Sequence, residues 1–203
     1  MQATQSASPK SARRPLILVA LLFILPVLVA VGFYLSPSLL SLVATKNHGI
    51  LVEPPRPLSA LALKTADGTT LDHAQIVGRW TYWIFNDGTC DRTCEERLYR
   101  TRQVRLALGK DVDKAQRLLV ALADRPAAQA DPEENPDLTN AATGTAPGWA
   151  EAFLQGEESL DISQIYLSDP FGNLMMRYPP EISGPDILKD LKRLVHVSWV
   201  QPK

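Results

Sequence analysis

Trp80-Thr-Tyr-Trp-Ile-Phe-Asn-Asp-Gly-Thr-Cys90-Asp-Arg-Thr-Cys94 contains the only two cysteines of the chain. Its opening residues, Trp80–Phe85, are rich in aromatic and β-favouring side chains and apolar on both faces, the pattern of a central strand. A glycine-containing turn follows. From about Asp91 to Leu108 the pattern is helical, with Leu98, Thr101, Val104 and Leu108 near one face and Gly109 as a stop. A strand that delivers two thiols to the start of a helix is a site for thiol chemistry or for a soft metal.

Ahead of this stretch, Leu58–Lys64 and Thr69–Leu71 flank Ala66-Asp67-Gly68, a hairpin signal. Beyond it, Arg117–Leu122 is an apolar run of strand length. Residues 125–160 are rich in Pro, Ala, Asn, Asp and Gly and read as loop, with one short helix near Trp149–Leu154. Ile162–Leu167 and Asn173–Tyr178 read as strands joined by Asp169-Pro170-Phe171-Gly172. Pro185–Val195 closes the chain as a helix with Ile187, Leu191 and Leu194/Val195 on one face. The order β-β-β-α-β-(α)-β-β-α predicts an α/β sandwich around a central mixed sheet, a thioredoxin-like fold with an N-terminal hairpin.

Pro15 to Leu35 carries no charge, and about 20 apolar residues span a bilayer core as a helix. Pro26 within it is tolerated better in membrane helices than in soluble ones. The expected organisation is a tail over 1–14, a transmembrane anchor over 15–35, a Pro-rich linker over 36–57 and a globular domain over 58–203. Lys10, Arg13 and Arg14 form a basic flank that stays cytoplasmic, so the domain is expected outside the cytoplasm of a bacterial inner membrane. Such a compartment is oxidising. A signal peptide cleaved after Ala30 or Ala44 is the alternative reading. The 203 residues carry a formal net charge of -1, without the basic excess of a nucleic-acid binder.

Gly78-Arg79-Trp80, the apolar strand, the short turn and C-x-x-x-C resemble the Sco/SenC family of copper-handling, thioredoxin-like proteins. Ile165-Tyr-Leu-Ser-Asp-Pro-Phe-Gly172 is similar to that family's late strand-turn-strand. The resemblance implies one N-terminal membrane helix and a role in assembling the binuclear copper centre of cytochrome c oxidase. It implies copper on Cys90 and Cys94, and an oxidase subunit or another copper or thiol protein as partner. The family sets prolines after its cysteines, where this chain has Asp91 and Glu95. Its third copper ligand is a histidine just upstream of the late strand. Here that stretch is Ser159-Leu-Asp-Ile-Ser163, with Asp161 nearest the expected place. The chain therefore reads as a divergent member that lacks the family histidine.

The chemistry of the pair stays open at this level. On a helix, Cβ atoms at i and i+4 lie about 5–6 Å apart, whereas a disulfide needs about 3.5–4.5 Å. Closing the pair then requires the first turn to distort, while two thiolates could grip one Cu(I) without closure. A static disulfide staple is the plain alternative. Arg92, Arg97, Arg100, Arg102 and Arg105 read as a solvated helix face, with the alternative of docking an acidic partner. His48, His73 and His196 read as ordinary polar residues, and Met175 and Met176, on adjacent strand positions, as core for at least one of them. No Ser/His/Asp triad, phosphate-cradling Gly loop or H-E-x-x-H motif occurs. Two functions are expected: oxidase assembly through copper handling or reduction of copper-site cysteines, or thiol-disulfide exchange by an enzyme attacking with Cys90 and resolving with Cys94. A non-catalytic interaction module is a further alternative.

Overall fold

The computed structural model describes residues 13–35, 47–58, 63–65, 68–71, 73–123, 133, 135–144, 151–154 and 159–197. The chain divides into two compact units, Met1–Lys46 and Asn47–Lys203. In the first, helix α1 covers Arg13–Leu35 and includes Pro26. Its 23 residues measure about 35 Å at 1.5 Å per residue. Pro15–Leu35 buries nothing within the protein, and its length and composition suffice to cross a membrane. The expected cytoplasmic tail falls mostly outside the described residues, as do residues 36–46 of the expected linker.

The second unit is built on one mixed sheet of eight strands, ordered β1-β8-β7-β4-β5-β6-β2-β3. These are β1 (Ile50–Pro57), β2 (Leu63–Thr65), β3 (Thr70–Leu71), β4 (Trp80–Asn86), β5 (Ala115–Ala121), β6 (Leu138–Ala142), β7 (Ile165–Ser168) and β8 (Asn173–Tyr178). The helices are α2 (His73–Ile76), α3 (Arg92–Leu106), α4 (Glu151–Leu154) and α5 (Gly184–Val197), with a 3-10 turn over Gly109–Lys114. Strand β4 lies in the middle, parallel to β5 and antiparallel to β7, and every residue in it is buried. That is the central strand expected from its two-sided apolar pattern. Strands β2 and β3 pair antiparallel, as the hairpin signal indicated.

Alternate residues of β4 serve two cores. Trp83 and Phe85 face Leu58, Ile76, Phe153 and Tyr166. The rings of Phe85, Phe153 and Tyr166 meet edge to face at centroid distances of 5.0 to 5.8 Å, a favourable quadrupole geometry. Trp80 and Tyr82 face α3 and α5, where Val104, Ile187, Leu191 and Val195 are buried. Helix α5 carries its apolar stripe as expected. Ile84 faces a smaller cluster with Cys94, Leu98 and Leu119.

Helix α2 and the 3-10 turn were not indicated by the sequence, β7 begins at Ile165 rather than Ile162, and two strands form in segments read otherwise. Ile50–Pro57, read as the end of a linker, forms the edge strand β1 against β8. Its register shifts between Leu51 and Arg56, so Pro54 and Pro55 sit where no ladder donor is needed. The chain enters this strand through a clasp. The carboxylate of Asp190 in α5, 1% exposed, accepts hydrogen bonds from the backbone N–H groups of His48 and Gly49 at 2.8 and 2.9 Å. It also lies 3.0 Å from His48 Nδ1. The second of these strands is β6, inside the segment read as loop. Leu138–Ala142 pairs parallel to β5 and antiparallel to β2.

Candidate functional site

Strand β4 ends at Asn86, and two side-chain turns carry the chain from there to α3. Asn86 Oδ1 accepts from Gly88 N–H at 3.0 Å, and Asp87 Oδ1 accepts from Thr89 N–H at 3.4 Å. Such Asx turns let the chain reverse without a partner strand. Gly88 takes φ 106°, a conformation that glycine adopts without strain. Asp91 is extended at φ -78°, ψ 179° and caps the helix. Its carboxylate accepts from Cys94 N–H at 2.9 Å and from the Thr93 hydroxyl at 3.2 Å. The Cys94 N–H bond, foremost, holds the Asp91 carboxyl below its ordinary range.

Cys90 and Cys94 are joined as a disulfide with Cα atoms 5.2 Å apart. The expectation that their spacing resists closure is corrected here. It assumed both residues on the helix, but Cys90 precedes the cap Asp91 and lies outside it. The turn before the cap brings its sulfur to Cys94 without distorting the first helical turn. The two sulfurs differ in access. Cys94 is fully buried among Ile84, Leu98 and Leu119, whereas Cys90 is half-buried and packs against that cluster from outside.

The arginines of α3 also correct the sequence reading. Arg92 is solvated and pairs with Glu96 at 3.2 Å. Arg97, however, is buried, and burial lowers its pKa. Its guanidinium donates to the carbonyls of Phe85 and Ile162 and, through Nε, to Thr93 at 3.3 Å. One side chain thus ties the end of β4, the first turn of α3 and the segment before β7. Arg100 donates to the carbonyls of Pro180 and Ile182. Arg105 donates to the Ala115 carbonyl at 2.8 Å and lies 3.4 Å from Asp137. On β5, Arg117 is wholly buried on the same face, forked onto Asp137 at 2.8 and 2.9 Å and donating to the Leu98 carbonyl. Burial opposes ionisation of Asp137, but the Arg117 hydrogen bonds and charge prevail and lower its pKa.

The residues weighed as further ligands are held elsewhere. Asp161 closes its own turn, accepting from Ser163 N–H at 2.9 Å and from Gln164 at 2.7 Å. Met176 is buried against the α5 core, with Met175 packed at its margin. His48 is held by Asp190, His73 lies beside Gly172, and His196 is exposed at the end of α5. Among the described residues no three His, Cys, Asp or Glu side chains group as a metal site. Among the described residues the donor set is therefore two sulfurs, bonded to each other, with no third ligand grouped beside them. A groove of about 850 Å³ between α3 and α5 is lined by Tyr99, Val104 and Leu188, and neither sulfur reaches it.

Asn86 carries no signal in isolation and was missed in the sequence. It is 2% exposed, on the same face of β4 as Ile84. Its Nδ2 is buried without a hydrogen-bond partner among the described residues.

Residues 80–198 match the family described as transmembrane-like, thioredoxin-like, C-terminal domain, and the chain belongs to that family. No curated protein matches the sequence. Among solved structures, apo Sco1 of Thermus thermophilus is similar with a TM-score of 0.55 and 18% identity, over 73% of this chain and 96% of that one. Copper-bound yeast Sco1 is similar at 0.52 and 17%, over 68% and 91%. BsSco, described as a Sco-family cytochrome c oxidase assembly protein with a disulfide switch, is similar at 0.50 and 14%, over 73% and 99%. At these identities the likeness establishes a Sco-like thioredoxin fold, as the resemblance of residues 78–98 indicated.

Proposed function

We propose that this chain is a membrane-anchored thiol-disulfide oxidoreductase that serves cytochrome c oxidase assembly by keeping copper-site cysteines reduced. Helix α1 is its anchor. The basic flank stays in the cytoplasm, and the domain works on the outer face of a bacterial inner membrane. The observation that carries the reading is the unequal access of two bonded sulfurs at a helix start, Cys90 half-buried and Cys94 fully buried. Symmetric metal ligands have no need of that inequality, whereas exchange through a mixed disulfide requires it.

In the reduced protein the Cys90 thiolate attacks a disulfide of the partner. One partner sulfur leaves as thiolate and takes a proton, and the other stays bonded to Cys90. The Cys94 thiolate then attacks Cys90 Sγ, forming the intramolecular disulfide and releasing the second partner thiolate. Two electrons pass from the cysteine pair to the partner, and a dithiol protein reductant restores the pair. The helix N-terminus favours the thiolate at Cys94.

The test uses the full-length chain in detergent. Cys94→Ser should accumulate a mixed disulfide through Cys90, and Cys90→Ser should lose exchange altogether. A second reading, Cu(I) carriage on the two reduced thiolates, is favoured by the Sco-like fold. Stoichiometric Cu(I), lost equally with either substitution and with no trapped partner, would replace the first reading with the second.

A further inference from the structure

We propose that the side-chain amide of Asn86 donates a hydrogen bond to the cysteine sulfur released on reduction, and that this makes the Cys90–Cys94 disulfide easier to reduce. The inference rests on the redox reading of the pair. Asn86 is the last residue of β4 and continues the face that carries Tyr82 and Ile84. Ile84 packs against Cys94, and Cys90 closes over the same cluster. The buried amide therefore lies on the same face of β4 as Ile84, whose cluster holds Cys94 and is packed by Cys90.

Its orientation is set. The Gly88 N–H bonds Oδ1 at 3.0 Å, so the NH2 end points away from the turn. That NH2 is buried and unpaired among the described residues while the sulfurs are bonded to each other. A buried donor without an acceptor is unfavourable. A disulfide sulfur accepts weakly, whereas a thiolate is charged and accepts strongly. Reduction supplies the acceptor that the oxidised state lacks, so the amide stabilises the dithiol form over the disulfide. The helix N-terminus also favours charge on the Cys94 sulfur.

Equilibration of the full-length chain in detergent with reduced and oxidised glutathione tests this. Two glutathione thiols supply two electrons and two protons, the Cys90–Cys94 bond breaks, and one glutathione disulfide forms. Asn86→Leu keeps the branched shape and removes both the donor and the acceptor. Asn86→Ser keeps an oxygen for Gly88 N–H and removes the long NH2 arm. Both should make the disulfide about tenfold harder to reduce, a shift of about 30 mV to lower potential. An unchanged constant in both variants overturns the inference and leaves the oxidoreductase reading standing. A shift in Leu but not in Ser assigns the effect to the turn and also overturns it. A wild-type pair that no glutathione ratio opens overturns both.

Discussion

The two faces of strand β4 are built on opposite principles. One carries Trp83 and Phe85 into an apolar, edge-to-face aromatic cluster. The only polar atom of these two side chains, Trp83 Nε1, finds Ser168 Oγ at 2.9 Å. The other face carries Tyr82, Ile84 and Asn86 toward buried arginines, a disulfide and unpaired polar atoms. A dry, satisfied face makes a rigid platform. A face with buried polar groups costs stability, and such costs persist where the groups have other work. The comparison separates the face that holds the domain together from the face that carries the proposed exchange chemistry.

Substitutions on the two faces should therefore fail differently. Trp83→Ala removes the largest side chain of the platform and should cost about 4 kcal/mol in denaturant unfolding. Its exchange activity, measured below the unfolding midpoint, should remain near wild type. A selective loss of activity without lost stability would break the distinction between the faces. Arg117→Met leaves the Asp137 carboxylate without its forked partner and should cost about 3 kcal/mol. Because Arg105 also reaches Asp137, the double variant with Arg105→Met should fall short of additivity. Asp91→Ala removes the helix cap and should cost about 1 kcal/mol, while also changing the reactivity of the pair it separates.

The smallest expected effect is acid sensitivity. Asp91 and Asp137 have carboxyl pKa values lowered in the folded state. A lowered folded value gives stability that is complete above the unfolded value, about 3.9, and lost as pH falls through the folded one. Stability should therefore fall below about pH 4. The fall should be shallower in Arg117→Met, whose Asp137 has lost its main cause of lowering. An equally steep fall would place the acid-sensitive groups elsewhere.

The legible parts of the fold were those set by local pattern. Trp80–Asn86 announces a central strand because consecutive apolar and aromatic residues fit only a sheet covered on both faces. The pair at Cys90 and Cys94 was legible for the same reason, since strand and helix patterns adjoin there. Strand β1 was not, because Pro54-Pro55 reads as a spacer until a register shift accommodates it. Strand β6 was not, because Leu138-Thr-Asn-Ala-Ala142 is short and small, and only its two neighbours make it a strand. Arg97 looks solvated in sequence, since its acceptors include carbonyls distant along the chain. The exchange alternative gave Cys90 the attacking and Cys94 the resolving role, which calls for unequal access of the two sulfurs. Its cause, one residue before the cap and one after, needed the cap itself.

The clasp at Asp190 has a mechanical meaning. A pull on the chain ahead of Asn47 would load the first residue of β1 and peel that edge strand from β8 one pair at a time. His48 and Gly49 intercept it, because their N–H groups are both held by one buried carboxylate on α5. The load passes into a helix packed across the sheet and is shared among bonds that must break together. A domain pulled from this end resists unravelling from its β1 edge.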